Sequence, residues 1–166
     1  MIMTTQPFVF KMSRLMDAPV DIVWRAWTTP ETLGKWFSPK GVKGFLAKLD
    51  LRPGGSYYYG LENPDGSKYY GRWMIIDVQP NTKLEFINSF SDESMGITRH
   101  PMAPSWPLEL HSTISFKSVG DKTEVEVQWK PHNSTAEEIK TFEAAAEGMK
   151  GGWGGTFDNF AEYLKA

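Results

Sequence analysis

From Phe45 to Lys130 apolar residues keep returning at every second position, and this rhythm restricts the fold more than anything else in the chain. A period of two places alternate side chains on opposite faces of an extended strand. Turn-forming clusters cut the run at Pro53-Gly54-Gly55, Asn63-Pro64-Asp65-Gly66, Pro80-Asn81 and Gly120-Asp121. The pieces between predict strands over Phe45–Leu51, Ser56–Glu62, Lys68–Val78, Lys83–Phe90, Leu108–Lys117 and Thr123–Lys130. Strands this short, joined this tightly, pair as antiparallel neighbours in a meander. In the last of them Val125, Val127 and Trp129 face one way and Glu124, Glu126 and Gln128 the other, so the sheet has one dry face. Phe8 to Met16 alternates in the same way and predicts a further strand at the start. Ser91–Pro107 breaks the rhythm with Met95, Met102, Trp106 and three prolines, and is expected to be one long loop.

A sheet with a dry face must be covered. Pro19 opens a short helix with Val20, Val23, Trp24 and Trp27 on one side. Thr29-Pro30-Glu31 opens a second, with Leu33, Trp36 and Phe37 as its buried side. Neither is long enough to cover the sheet. Thr135-x-x-Glu138 is a capping box. After it Ile139, Phe142, Ala146, Met149, Trp153, Phe157, Phe160 and Leu164 hold helical spacing, which predicts one helix of about 30 residues, about 45 Å long. The resulting expectation is a single α+β domain over residues 1–166. It has a curved antiparallel β-sheet, two short helices and a long C-terminal helix, with room between sheet and helix wherever side chains do not fill it.

The composition removes several classes of chemistry. Cysteine is absent, which excludes disulfides and thiolate catalysis and fits a reducing, cytoplasmic setting. The net charge of −2, with both signs interleaved, lacks the basic face of a nucleic-acid binder. No apolar run approaches the roughly 20 residues of a membrane span, and Met1 to Phe10 lacks the pattern of a secretory signal. No membrane insertion is therefore expected, and a monomer or homodimer is. HExxH, GxSxG and P-loop motifs are missing. His100, His111 and His132 share no ligand spacing, so neither a metal nor another cofactor is implied. No residue stands out as catalytic. His111 reads as a surface or hydrogen-bonded histidine, Arg72 as solvent-facing, and Arg52-Pro53-Gly54-Gly55 as a hairpin turn rather than a phosphate loop, since it opens no helix.

Gly148, Gly151, Gly152, Gly154 and Gly155 surround Trp153 in the last helix, and each costs about 1 kcal/mol against Ala in a helix interior. Burying Met149, Trp153 and Phe157, at about 1.5–3 kcal/mol each, offsets that cost. Two explanations fit: close approach of helix to sheet, which is favoured, or a bend over a cavity mouth.

The residues also carry a resemblance. Ala18-Pro19-x-x-x-Val23-Trp24-x-Ala26-Trp27-Thr28-x-Pro30-Glu31 followed by Trp36 resembles the opening of SRPBCC (START-like) proteins of the activator of heat-shock-protein-90 ATPase branch. So do Asp50-x-Arg52-x-Gly54-Gly55, Pro64-Asp65-Gly66 and Gly71. Gly152-Trp153-x-x-x-Phe157-Asp158-x-Phe160-Ala161-x-Tyr163-Leu164 is similar to that branch's closing motif. The resemblance implies the helix-grip fold. Its superfamily includes lipid carriers, plant hormone receptors, polyketide cyclases, antibiotic-sequestering proteins and chaperone activators, so fold alone does not settle function. The chaperone activators carry a separate N-terminal domain, whereas here a strand already begins near Phe8.

The expectation is therefore a protein that binds a small hydrophobic or aromatic molecule between sheet and C-terminal helix. The alternatives are a cyclase- or hydrolase-like enzyme and a chaperone ATPase-activating module. A chain that is 14% aromatic, with seven Trp, has the residues to line such a cavity. Alternation and helical spacing select Trp36, Phe37, Tyr57, Tyr59, Trp73, Phe86, Trp129, Phe142, Met149, Trp153 and Phe157 as the lining, with Trp106 near the mouth.

Overall fold

A computed structural model of the chain describes residues 8–39, 41–100 and 103–165. The elements run β1 (Phe10–Met16), α1 (Val20–Trp27), α2 (Pro30–Trp36), β2 (Lys43–Leu49), β3 (Ser56–Glu62), β4 (Lys68–Gln79) and β5 (Lys83–Ser91). They continue with β6 (Ile97–Thr98), β7 (Glu109–Val119), β8 (Lys122–His132), α3 (Ala136–Ala144) and α4 (Ala146–Lys165). All strands belong to one antiparallel sheet, ordered β1-β8-β7-β5-β4-β3-β2, with β6 paired to β5. The meander runs from β2 to β8 with only the short β6 set off its path, and the N-terminal strand returns to pair with β8. Gly66 (φ 88°) and Gly120 (φ 64°) occupy tight turns in the left-handed region that other residues enter at a cost. Register shifts between Gly44 and Leu46 and between Ile75 and Asp77 are the irregularities that let a sheet bend. The architecture is the expected helix-grip arrangement, a curved antiparallel sheet holding a C-terminal helix.

Two expectations need correction. The C-terminal helix is not one rod of about 30 residues. It breaks at Ala145 (φ −90°, ψ 5°), whose N–H reaches back to Phe142 O, and α4 starts anew with Met149 N–H bonding Ala145 O at 2.9 Å. Ala144-Ala145-Ala146 is good helix sequence, so the break is tertiary in origin. One straight axis does not keep Phe142 against Phe8 and Trp106 while also laying Met149, Trp153, Phe157 and Phe160 on the sheet. The segment Ser91–Pro107 is also not wholly irregular, because β6 lies within it and pairs Phe90 with Thr98 and Ser91 with Ile97. Met102 lies outside the described residues.

Alternation puts the dry face where the pattern requires. Val125 and Val127 are fully buried, while Glu124 is exposed and Glu126 half-buried. Beneath the C-terminal half of α4 the core is solid. Trp27 and Trp36 are both fully buried and meet edge to face at 4.8 Å, Phe160 lies 4.2 Å from Trp36, and Trp36 Nε1–H donates to Ala26 O at 3.0 Å. At the rim Arg14 sits over the Phe157 ring and pairs with Asp158 at 2.6 Å.

Candidate functional site

The other end of the same helix spans open space. A cavity of about 390 Å³ lies between the sheet and the N-terminal half of α4, within the range of roughly 300–1,000 Å³ that suits small molecules. Inward-facing positions of successive strands make its floor: Tyr59 and Leu61 on β3, Tyr69 and Trp73 on β4, Phe86, Asn88 and Phe90 on β5, Leu110 on β7 and Trp129 on β8. The roof is the α4 stripe Gly148, Met149, Gly152, Trp153 and Thr156. Phe37 closes one side, and His100, Trp106 and Leu108 from around β6 close the other.

Eight of the twelve residues selected from the sequence line this space: Phe37, Tyr59, Trp73, Phe86, Trp106, Trp129, Met149 and Trp153. Trp36, Tyr57, Phe142 and Phe157 do not. Each of the four has at most 1% of its surface exposed, because it faces the right side of its element but meets another side chain there. Trp36 is held by Phe160, Phe142 lies between Phe8 and Trp106, Phe157 touches Trp153 and Arg14, and Tyr57 lies against Tyr59 and Trp73. The sequence reading also missed Leu61, Tyr69, Asn88, Phe90, Leu108, Leu110 and the two glycines. Asn88 had a readable signal, since it is an amide in the apolar phase of β5.

The floor is shaped by one glycine. A side chain at Gly71 would strike the Tyr59 ring, so glycine opposite Tyr59 is what allows the phenol to lie across β4. The Trp73 ring lies beside the Tyr59 ring, with centroids 6.5 Å apart, and stacks on Phe86 at 4.0 Å. Burial pushes the Tyr59 and Tyr69 phenols above their ordinary range, so both remain O–H groups. Burial likewise holds His100, which lies 4.7 Å from Phe90, below the usual histidine value and favours the neutral ring. Asn88 Oδ1 accepts a hydrogen bond from Ser112 Oγ. Among the described residues no Lys, Arg, Asp or Glu lines the cavity.

The glycines of α4 do not serve close packing, contrary to the favoured reading of the sequence. A Cβ at Gly148, Gly151 or Gly152 would meet nothing within 4 Å, and at Gly154 only the Met12 methyl at 3.9 Å. Gly148 and Gly152 are exposed and border the cavity, so their missing side chains leave its edge open rather than drawing the helix inward.

The chain between β5 and β7 is tied to α3. Arg99 Nη1 donates to Glu138 Oε2 at 2.6 Å, while Glu138 Oε1 accepts the Thr135 N–H at 2.9 Å. Thr141 Oγ1 donates to Ser105 Oγ at 2.9 Å. These contacts hold Trp106 against Phe142 at 5.6 Å.

The remaining candidates lie elsewhere. His111 Nε2 is 2.6 Å from Glu85 Oε2, and Lys83 Nζ is 3.2 Å from both Glu85 and Asp77, none of them lining the cavity. Arg72 donates to Met95 O at 3.0 Å in an exposed position. Arg52 pairs with Asp50 at 2.9 Å, and Gly54 N–H bonds Ile75 O. Among the described residues no group of three His, Asp or Glu is placed to hold a metal, and no helix is long and apolar enough to cross a membrane.

Comparison with known proteins supports this architecture. The family model described as activator of Hsp90 ATPase homolog 1-like protein matches residues 17–165. No functionally curated protein matches the sequence. Among solved structures, one from Arthrobacter aurescens superposes with a TM-score of 0.79 at 23% identity, covering 96% of this chain and 87% of that one. One from Mycobacterium smegmatis gives 0.76 at 23%, covering 95% and 91%. One from Nitrosomonas europaea gives 0.74 at 25%, covering 98% and 97%.

Proposed function

This chain belongs to the activator of Hsp90 ATPase homolog 1-like family, and on that premise we propose that it binds a small hydrophobic or aromatic molecule between its sheet and α4. The observation that carries the reading is the helix itself. Its C-terminal half is packed solid, while its N-terminal half carries Gly148 and Gly152 over a cavity walled by aromatic rings. Gly148 stands in the first turn of α4 and Gly152 in its interior, where glycine costs about 1 kcal/mol against alanine, and that cost brings no closer packing in return. The space it preserves has the size and apolar walls of a ligand site.

N-phenyl-1-naphthylamine, a neutral fluorophore, tests the reading. It should bind at micromolar affinity and quench tryptophan emission, because Trp73, Trp106, Trp129 and Trp153 all border the cavity. Gly152→Leu, which meets no neighbour within 4 Å of its Cβ, should fold normally and lose the probe. A folded wild-type protein that ignores the fluorophore, or a Gly152→Leu variant that binds it unchanged, defeats the proposal.

A further inference from the structure

The cavity floor contains one side-chain amide. Asn88 stands opposite Trp73 on β4 and Leu110 on β7, with Phe86 and Phe90 two positions away along its own strand. Its orientation follows from Ser112, which is fully buried. The Ser112 hydroxyl has one proton to give and, among the described residues, its only partner is Asn88. A hydroxyl donates to an amide oxygen and not to an amide NH2, so Oδ1 is turned to Ser112 and Nδ2 is turned away from it. Nδ2 has no hydrogen-bond partner among the described residues, and it is not among the sealed polar atoms of the interior. Asn88 lines the cavity, so its two N–H donors face that space.

Two phenols on the same floor add donors to it. The Tyr59 phenol is raised by burial and stays protonated, so it has a proton to donate, and Tyr69 adds a second phenol two residues from Gly71 on the same floor. These groups have protons to donate, are set in aromatic surface, and stand among described lining residues that include no Lys, Arg, Asp or Glu. Charged ligand groups in such a place lose their hydration without gaining a counter-charge. A neutral ligand oxygen regains on Asn88 the hydrogen bonds it gives up in water.

Resting on the cavity being a ligand site, we propose that it selects uncharged aromatic compounds bearing a carbonyl-type acceptor, which seats on Asn88 Nδ2 with Tyr59 Oη–H as second donor. Carboxylates and amines of the same shape are rejected.

The test is displacement of N-phenyl-1-naphthylamine by three matched compounds at neutral pH: 2-acetylnaphthalene, 2-ethylnaphthalene and 2-naphthoate. The ketone should displace the probe at a concentration roughly tenfold or more below that needed for the carboxylate, the size expected from one stranded charge or lost hydrogen bond. In Asn88→Leu, the affinity of the ketone relative to the hydrocarbon, both measured in the variant, should fall by about tenfold. If that variant fails to fold, Asn88→Leu/Ser112→Ala carries the comparison, because it also removes the hydroxyl left without an acceptor. A ketone-to-hydrocarbon ratio unchanged by the substitution, or a carboxylate that competes as well as the ketone, overturns this inference and leaves the ligand site standing. Failure of the probe and all three compounds to bind overturns both.

Discussion

The two halves of α4 cross the same sheet, both rich in aromatic residues, yet one half closes a core and the other roofs a cavity. Near its C-terminus Phe157 and Phe160 are fully buried, Phe160 met by α1 and α2 through Trp27 and Trp36 and Phe157 by Trp153 and Arg14. Near its N-terminus Met149 and Trp153 are met only partway, and Gly148 and Gly152 offer nothing to fill the rest. Large apolar side chains thus build a wall or a plug depending on what faces them. Whether a region rich in rings is solid depends on opposing volume, not on the rings themselves.

The largest expected effect lies at the solid end. Trp27→Ala should cost about 3–5 kcal/mol in urea titration, because Trp27 is fully buried and touches Trp36, Phe116, Trp153 and Phe160. Trp106→Ala, at the open end, should cost far less and weaken N-phenyl-1-naphthylamine binding instead. Equal losses from the two substitutions would erase the distinction between the halves.

Phe142→Trp places the boundary more finely. Phe142 is fully buried between Phe8 and Trp106 and lies off the cavity. Enlarging it should overpack the site by about 1–3 kcal/mol. Neutral stability together with weakened probe binding would extend the cavity to α3.

Gly151→Ala sharpens the account of the helix. Gly151 is exposed and off the cavity stripe, and a Cβ there meets nothing within 4 Å. The substitution should stabilise by up to about 1 kcal/mol and leave probe affinity unchanged. Destabilisation would mean that the helix needs its glycines for more than open space.

The smallest effect concerns the tie beside the mouth. The Thr135 backbone N–H and then the Arg99 guanidinium hold the Glu138 carboxyl below its ordinary range. A carboxyl lowered in the folded state contributes stability above its unfolded value and loses it as pH falls through the folded one. Glu138→Gln should therefore cost about 0.5–1 kcal/mol at neutral pH. Its deficit against wild type should shrink as the pH falls below the ordinary glutamate value and vanish only below the lower folded value, where the wild-type carboxyl is protonated as well. A deficit of constant size across that range would assign the loss to packing rather than charge.

Much of the fold was legible because it rests on local periodicity. Strand alternation fixed which residues face inward, so Tyr59, Trp73, Phe86 and Trp129 could be chosen for the concave side and do line the cavity. The capping box at Thr135 and Glu138 was equally local, and both of its hydrogen bonds form. The same patterns assigned Trp36, Tyr57, Phe142 and Phe157 to the lining, because a period reports a face and not what stands across from it. Asn88 passed unnoticed because an amide in an apolar phase acquires meaning only when Ser112, 24 residues away, takes its oxygen.

The sequence by itself determined where the longer strands run to within two residues, their inward faces, the turns and the existence of a covering helix, all of which follow from interactions between residues close in the chain. The tertiary structure alone decided that the helix breaks at Ala145, that the glycines of α4 preserve space instead of closing it, and that one end of the interior is full and the other hollow. Those features depend on volumes and hydrogen-bond partners brought together from distant segments, and no local pattern records how much room remains after packing.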